Sequence, residues 1–235
     1  MPPQKKIVAI ISLVVIVLAT MFLISRCKPP VDVRPQYTTN SLDEGVGYVA
    51  GEEAIRVARG QTNIVVLLNA HEADKGNSLQ IGAQNYLMGL QGATMDEKGN
   101  SRPDVKILGR KYRSDDPTGS NVFWPPSSVL QNIPKEFPEC NVIISFCGRP
   151  AIGPQDRGAY NPSEIPRMIV IDELPDTPDK WQTVFQTGLV EVLFAAHNPP
   201  PGQFTTKTTR ELVESRYYIL TLQNLTEVIR KASGQ

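Results

Sequence analysis

The chain has 235 residues, and its 24 Lys and Arg balance 24 Asp and Glu to a formal net charge of zero. No Lys/Arg cluster stands out, so the electrostatic footprint of a nucleic-acid-binding protein is missing and that class is set aside. Twenty prolines and seventeen glycines gather mostly in connections. The roughly 190 residues left after an apolar N-terminal segment and a linker suit one domain with a sizeable core.

The chain opens MPPQKK, after which Ile7 to Ile24 carries no charge and only Ser12 and Thr20 as polar residues. Eighteen residues at about 1.5 Å each span roughly 27 Å, enough for a hydrocarbon core with help from flanking residues. Residues 1–27 are therefore expected to form a transmembrane signal-anchor. Ser25-Arg26 is a poor cleavage context for a signal peptide, and Cys27 follows Arg26 instead of the small residue a lipoprotein needs. Lys5 and Lys6 before the segment nearly balance Arg26 and Lys28 after it. A short tail before a single anchor more often stays in the cytoplasm, so a single-pass protein with its domain on the extracytoplasmic side of the cell membrane is expected.

Residues 28–50 are rich in Pro and polar residues without periodicity, and they are expected to form a flexible tether leading to an α/β domain over 51–235. Glu52 to Arg59 predicts a short helix. GVGYVAG at Gly45 to Gly51 superficially looks like a dinucleotide-binding motif but lacks the preceding strand and the correct last spacing, so no cofactor is expected.

Three apolar runs follow without polar alternation: Asn63 to Leu68 (NIVVLL), Asn141 to Phe146 (NVIISF) and Arg167 to Ile171 (RMIVI). Such runs suit strands of a parallel sheet with helices on both faces. The first runs into NAHEADKGN and a helix from about Ser78 to Leu90, whose Leu79, Ala83, Tyr86, Leu87 and Leu90 share one face. Asp104 to Gly109 predicts the next strand, and SSVLQNI before Pro134 a short helix. Gly148 to Pro166 is a long connection without pattern, and loops of that length are usually functional or mobile.

Thr177-Pro178-Asp179 then starts a helix with a capping hydroxyl, Pro at the first helical position and an acid near the positive dipole end. Trp181, Val184, Phe185, Gly188, Leu189, Val192 and Leu193 follow the helical period, and Val190 and Phe194 broaden the stripe, which predicts one long apolar helix. Tyr217 to Leu220 and a final helix from about Leu222 to Ala232 end the pattern. The expected fold is α/β, a doubly wound and mainly parallel five-stranded sheet of order 2-1-3-4-5.

NVIISFCGRP, IPRMIVIDE and KWQTVFQTGLVEVLF together resemble one lobe of the type I periplasmic sugar-binding proteins and their LacI-like regulatory relatives. The resemblance spans about Asn63 to Asn198. It implies a periplasmic-binding-like lobe. Such proteins close two lobes on a ligand, whereas this chain has residues for about one and a half at most.

In open α/β sheets, ligands meet the carboxyl ends of strands where the chain reverses direction, here between the loops after the first and third strands. Asn69, His71, Glu72 and Asp74 lie on the first loop and Cys147, Gly148 and Arg149 on the third, with Asp115, Asp116 and Asp172 on neighbouring loops. The ligand-binding set drawn from them is Asn69, His71, Asp115, Arg149 and Asp172. Arg149 stands between Gly148 and Pro150, so its guanidinium is expected to leave the edge and meet Asp115, Asp172 or an anionic or hydroxylated ligand.

Specific catalytic signatures are mostly absent. His71 and His197, the two histidines, are read as a strand end and a helix end, so no two-histidine metal site is expected. Cys147 lacks the Arg of phosphate-binding cysteine loops, since Gly153 stands there, and lacks a second Cys, since Pro150 stands there. Cys140 and Cys147 bracket a strand, which puts them roughly 23 Å apart against the limit of about 7 Å for a disulfide. The expected function is a membrane-anchored extracytoplasmic module recognising a small ligand. The alternative is a structural or assembly protein that contacts a protein partner through its long loops, and an enzyme ranks last.

Overall fold

The computed structural model describes residues 39, 41–69, 78–96, 98–112, 127–150, 164–172, 177–186, 188–197 and 208–232. Helix α1 (Leu42–Ala58) comes first, capped by the Ser41 hydroxyl, which accepts from Glu44 N–H, with Asp43 and Glu44 at the positive end of the dipole. The tether expected over 28–50 is thus helical from Leu42 onward. Its GVGYVAG stretch serves helix packing, with Gly47 against the Tyr86 backbone.

Six strands form one sheet: β1 (Thr62–Leu68), β2 (Val105–Tyr112), β3 (Val142–Ser145), β4 (Arg167–Asp172), β5 (Val190–Ala196) and β6 (Tyr217–Leu220). Their order is β2-β1-β3-β4-β5-β6, parallel throughout except that β6 runs antiparallel to β5. The 2-1-3-4 part stands as expected, but the count of five was one short. What was expected as a single helix from Thr177 breaks into α4 (Pro178–Phe185), a turn at Gly188 with φ of 73°, and β5. The reason is burial: Val190, Val192, Leu193, Phe194 and Ala195 are all buried, so the strand has no polar alternation to separate it from an apolar helix.

The remaining helices are α2 (Ser78–Ala93), α3 (Ser127–Glu136), α5 (Thr209–Glu214) and α6 (Leu225–Ala232). Helices α1, α2 and α5 cover one face of the sheet, where Val49, Tyr86, Leu90 and Val213 meet Ile64, Val66, Ile144 and Phe194. Helices α3, α4 and α6 cover the other, where Leu130, Ile133, Trp181, Phe185 and Leu225 meet Val65, Leu67, Ile143 and Leu193. Two covered faces explain why every residue of β1 and β3 is buried. Helix α3 runs through Pro134, the residue expected to stop it.

At the amino edge, asparagines tie β1 to β3. Asn63 N–H donates to Asn141 Oδ1 at 2.9 Å, Asn63 Nδ2 to Glu139 O at 2.9 Å and Asn141 Nδ2 to Gln61 O at 2.6 Å. These bonds hold the register on which the opposite edge depends. Cys140 and Cys147 are both free thiols, in line with the strand-length argument. No helix among the described residues is long and apolar enough to cross a membrane, and Ile7 to Ile24 lies outside them.

Candidate functional site

The chain leaves β1 for β2 on one side and returns to β3 on the other, so the reversal falls between the carboxyl ends of β1 and β3. Asn69 follows β1. Its Nδ2 donates to Phe146 O across the gap at 3.4 Å, while its Oδ1 is buried and has no hydrogen-bond partner among the described residues.

The turn after β3 is built by Ser145, the fully buried last residue of that strand. Its hydroxyl donates to Gly148 O at 2.8 Å and accepts from Cys147 N–H at 3.4 Å. Gly148 has φ of 83°, a conformation that costs a side-chain-bearing residue about 1 to 2 kcal/mol. The turn carries Arg149 toward β4, where its Nε lies 2.5 Å from Oδ2 of Asp172, the last residue of that strand. The Asp172 side chain is 9 % exposed and that of Arg149 23 %, so the pair is largely withdrawn from water. Excluding water raises both the attraction between the two charges and the cost of desolvating them, and losing either member leaves a charge that burial penalises.

Under this edge Tyr86 from α2 stacks on Phe146, with ring centroids 4.5 Å apart and planes at 12°. That stack fixes the backbone on which Asn69 and the Ser145 turn rest. Of the five residues expected in the site, three are described: Asn69 follows β1, and Arg149, in the turn after β3, pairs with Asp172 at the end of β4. His71 and Asp115 lie outside the described residues, as do Glu72, Asp74 and Asp116. Cys147 is half-buried and packs against the second core cluster.

The structure corrects one expectation at the edge. His197 follows β5, not a helix, and β5 adjoins β4 with Ala195 in register with Asp172, so His197 belongs to the same carboxyl edge. Its ring stacks on Tyr218 at 4.3 Å and its Nε2 lies 3.2 Å from Glu214 O. Trp181 of α4 meets Tyr218 edge-on at 5.6 Å. The signal for His197 was the β-branched pair Val190 and Val192, which favour a strand over a helix. Among the described residues no group of three His, Cys, Asp or Glu is placed to hold a metal ion. Among the described residues the edge carries the Arg149 guanidinium, the Asp172 carboxylate, the Asn69 amide and the His197 imidazole stacked on Tyr218, a set suited to holding a polar ligand in orientation.

No protein-family model matches the sequence, and no curated protein matches it. Solved structures do match in fold. The chain is similar to the fructose-binding periplasmic domain of a hybrid two-component system at 15 % identity and a TM-score of 0.53, covering 83 % of this chain and 61 % of that one. A sugar-binding protein of a sugar ABC transporter from Bacillus halodurans matches at 15 % identity and 0.48, covering 80 % and 64 %. An arabinose-binding protein from Geobacillus stearothermophilus matches at 13 % identity and 0.47, covering 80 % and 63 %. This chain therefore spans less than two thirds of each of these proteins. The fold is the type I periplasmic-binding type, with a six-stranded, mostly parallel sheet.

Proposed function

We propose that the chain is a membrane-anchored extracytoplasmic binding module that takes a small hydroxylated or anionic ligand at the carboxyl edge of its sheet. The observation that supports this reading is the Arg149–Asp172 pair at the carboxyl edge beside the chain reversal, with Asn69 at the end of the neighbouring strand β1. A guanidinium and a carboxylate held against each other present donors and acceptors side by side, which matches the hydroxyls of a sugar or polyol. One structural neighbour is by its name a fructose-binding periplasmic domain, which supports a ligand of that class. The uncharged Ile7 to Ile24 segment supports an anchor, with the domain on the far side of the membrane from the short N-terminal tail.

The test is thermal unfolding of the full chain against pentoses, hexoses, polyols and sugar acids. A ligand at a hundred times its Kd adds about 2.7 kcal/mol, or roughly 5 to 10 °C for a domain of this size. Arg149→Ala should weaken any ligand so found about tenfold or more, because a charge-assisted hydrogen bond lost is worth roughly 1.5 to 3 kcal/mol. Unchanged affinity in that variant rejects the edge as the site. A full panel without a shift favours the other reading, contact with a protein partner.

A further inference from the structure

The two outer strands of the sheet differ in how they meet water. β2 holds Lys106, Arg110 and Lys111 among its eight residues, and charge on an outer strand discourages pairing with another chain. β6 reads Tyr217-Tyr218-Ile219-Leu220, rich in β-formers and free of charge, Pro and Gly. A strand of that kind invites a further strand unless something blocks it. The directions of its backbone groups follow from its pairing with β5. His197 N–H donates to Arg216 O at 2.9 Å, and the antiparallel register runs from Ala196 opposite Tyr217 to Leu193 opposite Leu220. Arg216, Tyr218 and Leu220 therefore turn their backbone groups toward β5, while Tyr217, Ile219 and Thr221 turn theirs outward.

One side chain already occupies part of that outward edge. Asn224 Nδ2 donates to Ile219 O at 2.9 Å, and its Oδ1 accepts from Thr221 N–H at 2.7 Å. A donor to one residue's carbonyl and an acceptor for the N–H two residues on is the pattern that a single residue of a parallel neighbouring strand makes. An amide is suited to this, since it carries both groups side by side as a peptide does. Helix α6 holds it in place: Asn224 N–H donates to the Thr221 hydroxyl at 3.4 Å, and Val228 N–H donates to Asn224 O at 3.0 Å. We infer that Asn224 is an edge guard, whose side chain stands where a seventh strand would begin and keeps β6 from accepting one. β2 repels a newcomer by charge; β6 does so by having its outward bonds taken.

The test is sedimentation of the purified full chain in density-matched detergent, where another copy of β6 is the strand on hand. Asn224→Ala should self-associate at least tenfold more strongly than the parent, with the near-ultraviolet dichroism of the folded domain retained. Thr221→Ala is the control for stability. It removes the hydroxyl that caps α6 but leaves the backbone N–H and the Asn224 amide in place, so its thermal midpoint should fall while its self-association stays at the parent level. Leu222, 61 % exposed just past β6, serves for rescue. Adding Leu222→Lys to Asn224→Ala gives this edge the kind of charge that β2 carries and should return association to the parent level. An Asn224→Ala chain that associates no more than the parent at any concentration overturns the inference. So does equal association of Thr221→Ala, or association that appears only once the near-ultraviolet signal is lost, because either would trace the effect to weakened folding.

Discussion

On one face of the sheet, α1 and α2 lie backbone against backbone; on the other, α3, α4 and α6 are held off by large side chains. A Cβ on Gly47 would collide with the Tyr86 carbonyl, and one on Gly89 with the Glu44 carbonyl. The second face instead fills its space with Leu130, Ile133, Trp181, Phe185 and Leu225. The first kind of packing fails when an atom is added and the second when atoms are removed, because backbone cannot step aside and a void keeps only part of its contacts. Gly47 belongs to the stretch that superficially looks like a nucleotide motif, and its use here is close helix approach.

The largest expected effect breaks the side-chain-filled face. Trp181, 2 % exposed, reaches Leu193 and Tyr218 from α4, and Trp181→Ala should cost about 3 to 5 kcal/mol in urea unfolding. A loss below about 1 kcal/mol would mean that this face repacks freely. Next comes the backbone face, where Gly89→Ala should cost about 2 to 3 kcal/mol despite the better helix propensity of alanine. Gly82, one heptad earlier on the same helix, is the control. Its nearest neighbour to an added Cβ is Asp43 Oδ2 at 3.5 Å, so Gly82→Ala should stabilise by about 0.5 to 1 kcal/mol. Equal effects at the two glycines would refute the distinction between a close contact and an open one.

The smallest effect concerns Cys140, where burial outweighs hydrogen bonding and pushes the thiol up from 9.0 to about 11. Native protein at pH 8 should leave Cys140 unlabelled by a thiol reagent until it is unfolded. The sign of the linkage follows: the folded thiol keeps its proton above 9.0 while the unfolded one releases it, so stability declines as pH rises from about 9 to 11. Cys140→Ala should remove that part of the slope.

The strands legible in the sequence were those whose ends carry punctuation. β1, β3 and β4 are apolar runs closed by Asn69, by the Gly148 and Pro150 pair and by Asp172, and that is why the same reading reached three residues of the candidate site. β5 was lost because Trp181, Val184, Phe185, Gly188, Leu189 and Val192 satisfy a helical period across a boundary that Gly188 sets through its backbone, and His197 was lost with it. α5 has a usable signal in the sequence. Thr208 and Glu211 form a reciprocal capping box, with Glu211 N–H donating to the Thr208 hydroxyl at 3.1 Å and Thr208 N–H to Glu211 Oε2 at 2.9 Å. The helix expected over Glu52 to Arg59 is the second half of α1; its first half was hidden by the polar residues around it, although Ser41 followed by Asp43 and Glu44 is an ordinary helix start.

The pairing of α1 with α5 has a consequence for synthesis on the ribosome. Arg210 Nη2 reaches Glu52 at 3.3 Å and Glu53 at 2.9 Å, over separations of 158 and 157 residues. Glu53 is 5 % exposed in the finished fold. At roughly 5 to 20 residues per second, translation keeps that carboxylate waiting on the order of ten to thirty seconds for its second arginine. Meanwhile Arg56, three residues on and 2.6 Å away, is the cation already at hand. The nascent chain thus carries its own temporary counter-ion, and α1 can settle on α2 well before the helix that seals it has left the exit tunnel.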